Sequence, residues 1–289
     1  VPYDVILEDT LAGFNAEQTT YTVKSTGFYF MHLSAGVPRN QKLNCAIRNA
    51  TSTPNVLLNH TSLNNDIVTS RDDIQYVNEG QRLYISSDYP LMSDSMMQTS
   101  WSGLRLDGLY SPLILFRAAR TATLQTTSNN MVTFDEMLIN VGGGWDACNS
   151  RFVAPRDGIY FFSWSSASVR NTTHAVHLYL NNADTLLIQL AVESGFYDGS
   201  DTASQSALLQ LTAGDFVTLQ SVSGSVYSDV NYQTSFLGFL YEPITGNKAA
   251  WSLAFNGYAY GPATISFNSL LLLEGVTWNS SSSQLTILT

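Results

Sequence analysis

The sequence predicts an all-β protein built as a sandwich or jelly roll, and three observations carry that prediction. No window repeats apolar residues at the spacing of an amphipathic helix. Short segments rich in aromatic and β-branched residues, such as DGIYFFSWSS (157–166) and HAVHLYLNN (174–182), recur about every ten residues. Turn signals separate them: in SALLQLTAGDFVTLQSV (206–222), the Ala-Gly-Asp step predicts a tight turn that joins two strands as a hairpin.

Similar segments recur along the chain. TVKSTGFYFM (22–31) is similar to VAPRDGIYFF (153–162), 131 residues further on, and FNSLLLLEGVTW (267–278) matches FDEMLINVGGGW (134–145) without a gap. Further pairs at nearly the same spacing are Phe14 with Trp145, Tyr21 with Phe152, Gly80 with Gly214, and TSWSGLRL (99–106) with TSFLGFLY (234–241). A spacing that drifts so little predicts a duplicated domain with small loop insertions.

The repeat predicts three segments. Residues 1–108 form a copy without a counterpart of its first strand, residues 109–245 form a complete copy, and residues 246–289 form the N-terminal part of a third. Two explanations for the incomplete copies remain open. The span is a window on a longer array, or WSLAFNGYA (251–259) completes the first copy of a neighbouring chain by strand addition.

The middle copy carries the residues of a known family. Phe152, Gly158, Tyr160 and Phe162 form the pattern F-x5-G-x-Y-x-F, and VHLYLNN, LLQLTAGDFVTL and SFLGFLYEP follow in order. In these motifs the copy resembles the globular head of complement C1q, so the fold class expected is tandem C1q/TNF-like jelly-roll sandwiches. The resemblance implies two sheets of about ten strands, usually assembled as trimers, that bind or assemble rather than catalyse. The first copy fits more loosely, with Tyr21 and Met31 in place of two of the phenylalanines.

Charge and composition exclude several partners. The formal net charge is −10 and only 12% of residues are charged, which argues against nucleic acid and against an anionic membrane surface. The longest purely apolar run, LLLL at 270–273, is far shorter than a membrane helix. Four Asn-x-Ser/Thr sequons, at Asn49, Asn59, Asn171 and Asn279, predict a secreted glycoprotein, with Asn171 in an exposed loop between two strands.

Candidate metal ligands are few. His174 and His177 project from opposite faces of a strand, which predicts two separate histidines rather than a shared metal ion. Asp198 and Asp201 flank a glycine in YDGSD (197–201) and could offer oxygen ligands to calcium, but the regular ligand series of a calcium loop is missing. A solvated acidic turn is therefore favoured, and no other cofactor is predicted.

The two cysteines differ in setting. Cys45 alternates with Leu43 and Ile47, which predicts a buried, inert thiol. Cys148 aligns with polar loop positions of the other copies, so a disulfide to another chain is a candidate role for it.

Motifs of catalytic nucleophiles are absent, so an enzyme is not expected. Tyr227 and Tyr232, in the polar segment SGSVYSDVNYQTS (223–235), are the candidate binding residues. Two functions remain open. The first is an extracellular structural protein whose domains assemble into trimer-like or polymeric structures or filaments. The second is a recognition protein, such as a lectin or innate-immune pattern binder, that gains avidity from its repeats.

Overall fold

The chain folds almost entirely into β-strands. In a computed structural model, the structure describes residues 9, 11–49, 56–61, 67–93, 98–108, 112–124, 130–169, 172–181, 186–193, 201–242, 250–254, 269–274, 276–279 and 284–287. We call the described parts of 9–108 the first unit, those of 112–242 the second unit, and those of 250–287 the tail.

The first unit has two sheets. Sheet 1A has the strand order β1-β2-β7-β4-β5, and sheet 1B, as far as it is described, has the order β6-β3-β8. The strands are β1 Phe14–Asn15, β2 Thr20–Thr22, β3 Gly27–Val37, β4 Lys42–Asn49, β5 Val56–Thr61, β6 Ile67–Val77, β7 Arg82–Ser87 and β8 Ser100–Arg105.

The second unit has two larger sheets. Sheet 2A has the order β12-β13-β18-β15-β16, with β10 beside β18, and sheet 2B has the order β11-β9-β20-β14-β17, with β19 beside β14. The strands are β9 Leu115–Ala119, β10 Asn130–Met131, β11 Glu136–Val141, β12 Trp145–Asp146, β13 Arg151–Val153, β14 Gly158–Ser168, β15 Thr173–Leu180, β16 Leu186–Glu193, β17 Thr202–Leu211, β18 Phe216–Ser223, β19 Val226–Tyr227 and β20 Ser235–Glu242. A short 3₁₀ helix, Ala147–Asn149, lies between β12 and β13.

The two units share one topology. Sheet 1A follows the strand order of sheet 2A, and β6-β3-β8 follows β17-β14-β20. Phe14 pairs with Tyr21 across β1 and β2, as Trp145 pairs with Phe152 across β12 and β13. In both units the residues that align in sequence therefore occupy the same places in the sheets.

The Gly-x-Tyr motif has a packing reason in each unit. A Cβ at Gly158 would lie 2.8 Å from the carbonyl oxygen of Glu242, so the close approach of two strands requires glycine there. Two residues later, the buried Tyr160 donates its hydroxyl to the carbonyl of Arg156 at 2.7 Å. Tyr29 donates in the same way to Ser25, also at 2.7 Å, because a buried phenol needs an acceptor.

The core of the second unit is aromatic. Phe116 is fully buried between Trp145 and Phe152, with ring centroids 5.1 and 4.9 Å apart. Phe236 meets Phe116 edge-on at 5.0 Å. The first unit has a more aliphatic core that includes Leu33. Both cores lie between the two sheets of their own unit, as in a jelly-roll sandwich.

The predicted hairpin in SALLQLTAGDFVTLQSV is wrong. The turn itself is present, with Gly214 at φ +93° and Asp215 accepting a bond from the backbone nitrogen of Thr212 at 2.7 Å. The strands on either side belong to different sheets, however: β17 pairs with β14 and β18 pairs with β13 and β15. The turn is a corner between the sheets rather than the end of a ladder.

The tail repeats two pairings of the second unit. Its strands are β21 Ala250–Ala254, β22 Ser269–Glu274, β23 Val276–Asn279 and β24 Gln284–Ile287. The β21–β22 pair has a register shift between Ser252 and Leu253, where β9–β11 has one between the corresponding Arg117 and Ala118. The β23–β24 pair joins Trp278 to Leu285 as β12–β13 joins Trp145 to Phe152.

Candidate assembly interface

The first unit lies with its strand β6 against the outer face of sheet 2B. Strand β6 contacts β17 and β14 of the second unit. Ile74 of β6 is fully buried in a shared apolar cluster. The members of this cluster are Ile74, Leu106, Leu115, Leu237 and Phe239, with Phe28, Phe30, Leu113, Ile139, Val141, Phe161 and Tyr241 packed around them.

Aromatic rings cross the boundary between the units. The ring of Phe30 meets Phe161 edge-on at a centroid distance of 5.2 Å and lies 5.7 Å from Phe239. Phe161 and Phe239 sit on the outer face of sheet 2B, because their neighbours Phe162 and Leu240 belong to the core of the second unit. The outer face of this sheet is therefore an apolar interface rather than a solvated surface.

A buried ion pair lies beside this cluster. Asp73 of β6 and Arg117 of β9 approach to 2.5 Å, and their side chains are only 3% and 9% exposed. Gln75 donates an amide hydrogen to the other carboxylate oxygen of Asp73 at 2.7 Å. Burial raises the pKa of Asp73 above its usual value, while Arg117 acts in the opposite direction. The guanidinium therefore compensates a carboxylate that has no access to water.

Arg71, two residues before Asp73, makes a second polar contact with the second unit. Its Nη2 donates to the carbonyl of Tyr232 and to the hydroxyl of Ser235, the latter at 3.4 Å. Complete burial lowers the pKa of Arg71 to about 10. Two polar residues of the edge strand β6, Arg71 and Asp73, therefore bond to the second unit.

Hydroxyl groups complete the contact where β6 runs beside β17. The hydroxyls of Ser70 and Ser204 lie 3.2 Å apart, and Ser204 donates to the carbonyl of Ser70 at 2.7 Å. Ser70 pairs with Ser34 and Ser204 with Ser165, which are corresponding residues of β3 and β14. Equivalent positions of the two units therefore touch.

The contact is made between unlike surfaces. The first unit contributes the edge strand β6 together with Phe28 and Phe30 of β3, and the second unit contributes the outer face of sheet 2B, including its edge strand β17. The second unit's own edge strand β17, the counterpart of β6, contacts β21 and β22 of the tail. These tail strands are the counterparts of β9 and β11, so the edge strand of the second unit also lies next to the segment that follows it in the chain.

The sequence reading missed this interface. A signal was available, because RDDIQYV (71–77) occupies the place of QSALLQL (205–211) in the aligned copy. Charged residues at Arg71 and Asp73, where the other copy has Gln205 and Ala207, mark positions that face something other than an apolar core.

The predicted binding tyrosines are partly used within the chain. Tyr232 has a positive φ of 55°, and its carbonyl accepts the bond from Arg71. Tyr227 is half-buried and donates its hydroxyl to Asp229 at 3.3 Å. Val230, 80% exposed, forms the tip of the loop. The loop therefore supports the interface at its base, and binding of a ligand by its tyrosines remains a prediction.

The proposed calcium ligands are not brought together in the described residues. Asp198 lies outside the described residues, and Asp201 is only 2% exposed. The expectation of a solvated turn is wrong for Asp201, because its backbone carbonyl accepts from Ser168 at the end of β14 and the side chain is enclosed. Within the parts of the chain that are described, no group of three or more metal-ligating side chains is found.

The two histidines have separate neighbours, as predicted. His174 is buried and lies 2.6 Å from the hydroxyl of Ser166, and burial lowers its pKa to about 4. His177 lies on the other face of β15, 3.3 Å from the hydroxyl of Tyr179.

The prediction for Cys45 is confirmed. The thiol is fully buried, and burial raises its pKa to about 12. Cys148 is exposed in the 3₁₀ helix, and its disulfide to another chain remains a prediction.

The sequons lie in different settings. Asn171 lies outside the described residues. Asn49 ends β4 and is half-buried, Asn59 lies in β5, and Asn279 is exposed at the end of β23. Glycosylation at all four remains a prediction. In the described residues, no helix is long and apolar enough to cross a membrane.

The second unit matches a known protein family in sequence. Residues 115–241 match the C1q domain. The complement C1q tumor necrosis factor-related protein 3 of Mus musculus is 30% identical over 122 residues, which cover 42% of this chain and 49% of that protein. The collagen alpha-1(X) chain of Mus musculus is 34% identical over 116 residues, 39% of this chain and 16% of that one. The matched residues therefore span about half the length of the first of these relatives and 16% of the length of the second.

Two solved structures illustrate what this chain is similar to in fold. The globular domain of zebrafish complement 1qA covers 44% of this chain and 96% of its own, with a TM-score of 0.36 and 22% identity. Murine APRIL covers 44% of this chain and 98% of its own, with a TM-score of 0.38 and 14% identity.

Proposed function

We propose that this protein is an extracellular, non-catalytic structural protein whose tandem C1q-like domains assemble with one another. The domains are residues 1–108, 109–245 and 246–289. The observation that carries the proposal is the edge-to-face contact between the units. It buries Ile74 and the Asp73–Arg117 pair and partly buries the Phe30 ring, whereas domains on a flexible tether need no such shared apolar cluster.

The second unit carries the counterpart of the surface that the first unit uses. Leu208 occupies the place of Ile74 and packs, half-buried, with Ile159 and Tyr241. In the first unit this place is covered by a neighbouring domain. We expect the same surface of the second unit to be covered by the next domain, of the same chain or of another copy.

The test measures self-assembly directly. The full chain is studied by light scattering coupled to size exclusion and by electron microscopy across a range of concentrations. Oligomers, rings or filaments are expected, together with little specific binding on a glycan array. A strictly monomeric chain that binds a competable glycan would contradict the structural role and favour the recognition protein, whose ligand would then be sought at the exposed tip around Val230.

A pair of variants localises the contact. Leu208→Asp places a charge in the apolar surface of β17. It is expected to raise the protein concentration needed for assembly at least tenfold. Gln210→Asp adds the same charge on the same face of the strand, where the side chain is exposed, and serves as the matched control. Equal behaviour of both variants would show that this surface is not used.

The extracellular location has its own test. Peptide mass spectrometry of the protein from its native source is expected to find glycans at Asn171, and at Asn49, Asn59 or Asn279. Unmodified peptides at all four positions would argue against secretion through a glycosylating pathway.

A further inference from the structure

The edge strands β6 and β17 each contact the segment that follows their unit, and they differ in residue type at corresponding positions. Asp73 pairs with Met31, and Ala207 pairs with Phe162, so these two residues hold the same place in β6 and β17. Asp73 is charged, whereas Ala207 is a small residue of an apolar core.

The receiving faces differ in the same way. Arg117 holds its place in β9 opposite Ile139, and Ser252 holds that place in β21 opposite Leu272, next to the same register shift. The face of the second unit is therefore cationic at this position, and the tail carries a neutral residue at the corresponding one. A charged edge lies on a charged face in the first contact, and a neutral edge lies beside a neutral strand in the second.

From this we infer that the Asp73–Arg117 pair determines which unit docks on which. An edge with Ala207 placed on the face with Arg117 would lack the carboxylate that approaches this guanidinium to 2.5 Å in the first contact. An edge with Asp73 placed against a strand that has serine at the position of Arg117 would lose that guanidinium, and the buried carboxylate would keep only Arg71 of its own strand as a cationic neighbour. Removing one partner of a buried pair is strongly unfavourable, so both wrong combinations are rejected and the order of the units is fixed.

Arg71 adds to the selection on the edge strand. It holds the place of Gln205 in β17, and it donates to Tyr232 and Ser235 of the second unit. The edge strand of the first unit thus differs from that of the second at two positions, Arg71 for Gln205 and Asp73 for Ala207. Both charged residues have partners in the second unit.

This inference concerns which units dock on each other, not whether chains assemble. Its test therefore measures how strongly the first and second units of one chain dock. Ser70→Cys and Ser204→Cys, in a Cys148→Ser background, place thiols where two hydroxyls lie 3.2 Å apart. Cys45 is left in place because it is buried. The disulfide that forms in glutathione buffers reports the effective concentration of the docked arrangement.

Four variants are compared in this reporter chain. Asp73→Ala is expected to lower the effective concentration roughly 100-fold, because Arg117 loses its carboxylate. Arg117→Ser is expected to have a similar effect. The double variant Asp73→Ala with Arg117→Ser reproduces the neutral residue types of the second contact and is expected to return to within about threefold of the parent. Asp72→Asn, on the same strand but bonded to His32 of its own unit, is the control and is expected to leave docking unchanged.

Recovery of docking in the double variant would show that the pair selects the docking partner, because a general loss of stability would not be repaired by a second substitution. If Asp73→Ala leaves docking unchanged, or if the double variant is as weak as the single ones, the inference is overturned. Circular dichroism of each variant confirms that the sheets are intact, and a reporter chain with reversed charges, Asp73→Arg with Arg117→Asp, provides an independent check: it should dock better than either single reversal. Light scattering in the same buffers shows whether chains assemble, so failure of the proposed function is visible separately.

Discussion

Strands β6 and β17 hold the same place in their units, but the corresponding side chains have different neighbours. In β17, Leu209 and Leu211 face inward and are buried in the core of the second unit. In β6, Gln75 takes the place of Leu209 and bonds Asp73, which lies against Arg117 of the neighbouring unit. One strand closes its own sandwich and the other connects two sandwiches. The comparison teaches that, between two units of the same topology, one position can belong to a core in one and to an interface in the other without a change of backbone register.

The largest expected effect comes from the cores. Phe152→Ala removes a fully buried ring that packs on Phe116, and it should destabilise the second unit by about 3–5 kcal/mol. The corresponding Tyr21→Ala removes a half-buried ring and should cost about 1–2 kcal/mol. Urea unfolding measures both changes, and equal losses would mean that the two cores are built alike.

The inward face of β17 should reject the chemistry that β6 accepts. Ala207→Asp places a carboxylate inside the apolar core of the second unit, among buried hydrophobic residues such as Phe162 and Leu209. We expect a loss of about 3 kcal/mol or more at neutral pH, and a smaller loss at low pH, where the carboxyl is protonated. Ala207→Val, an apolar change of moderate size, is the control. Tolerance of Ala207→Asp in a thermal melt would contradict the comparison.

The two units should respond to pH in opposite directions. The pKa of His174 is lowered to about 4 by burial, so the unfolded chain binds the proton first as pH falls below 6.5. The second unit therefore loses stability between pH 6.5 and about 4, by about 3 kcal/mol in total. His174→Gln should remove this dependence in unfolding measured across that range.

In the first unit, the hydrogen bond between His32 Nδ1 and the Asp72 carboxylate raises the pKa of His32, and this effect exceeds the opposing effect of burial. Its contribution to stability is fully present below pH 6.5 and is lost as the pH rises through the folded-state value. Asp72→Asn should abolish this contribution. A second unit that gained stability on acidification would contradict the assignment for His174, and a first unit that lost no stability as the pH rises above 6.5 would contradict the assignment for His32.

The smallest effect is expected for the thiols. Cys148→Ser should change stability by less than about 0.5 kcal/mol, because the side chain is exposed. In native protein a maleimide should modify Cys148 and leave Cys45 untouched until the first unit unfolds. Rapid modification of Cys45 without unfolding would show that its unit opens locally.

Much of the fold could be predicted from sequence because its rules are local. Alternation placed Cys45 in the core, and the spacing of Phe152, Gly158 and Tyr160 indicated the family fold of the second unit. The corner at Gly214 shows where local rules end. A turn signal states that the chain reverses, but only packing decides whether the next strand joins the same sheet or the opposite one.

The interface could not be predicted because it depends on distant residues. Asp73 and Arg117 are 44 residues apart in the sequence, and neither belongs to a motif. Each alone indicates only a charged side chain on a strand. Their pairing follows from the placement of one sandwich on another, which single-strand patterns do not contain.

Strand β14, Gly158–Ser168, is bonded to β17 along nearly its whole length and to β20 along most of it. The hydrogen bonds between antiparallel strands run perpendicular to the strands. A force applied along β14 would therefore load its hydrogen bonds in shear, all together rather than one after another. In a protein that bears tension, resistance to stretching would reside in this central strand, while the short β12–β13 pair would open first under the same pull.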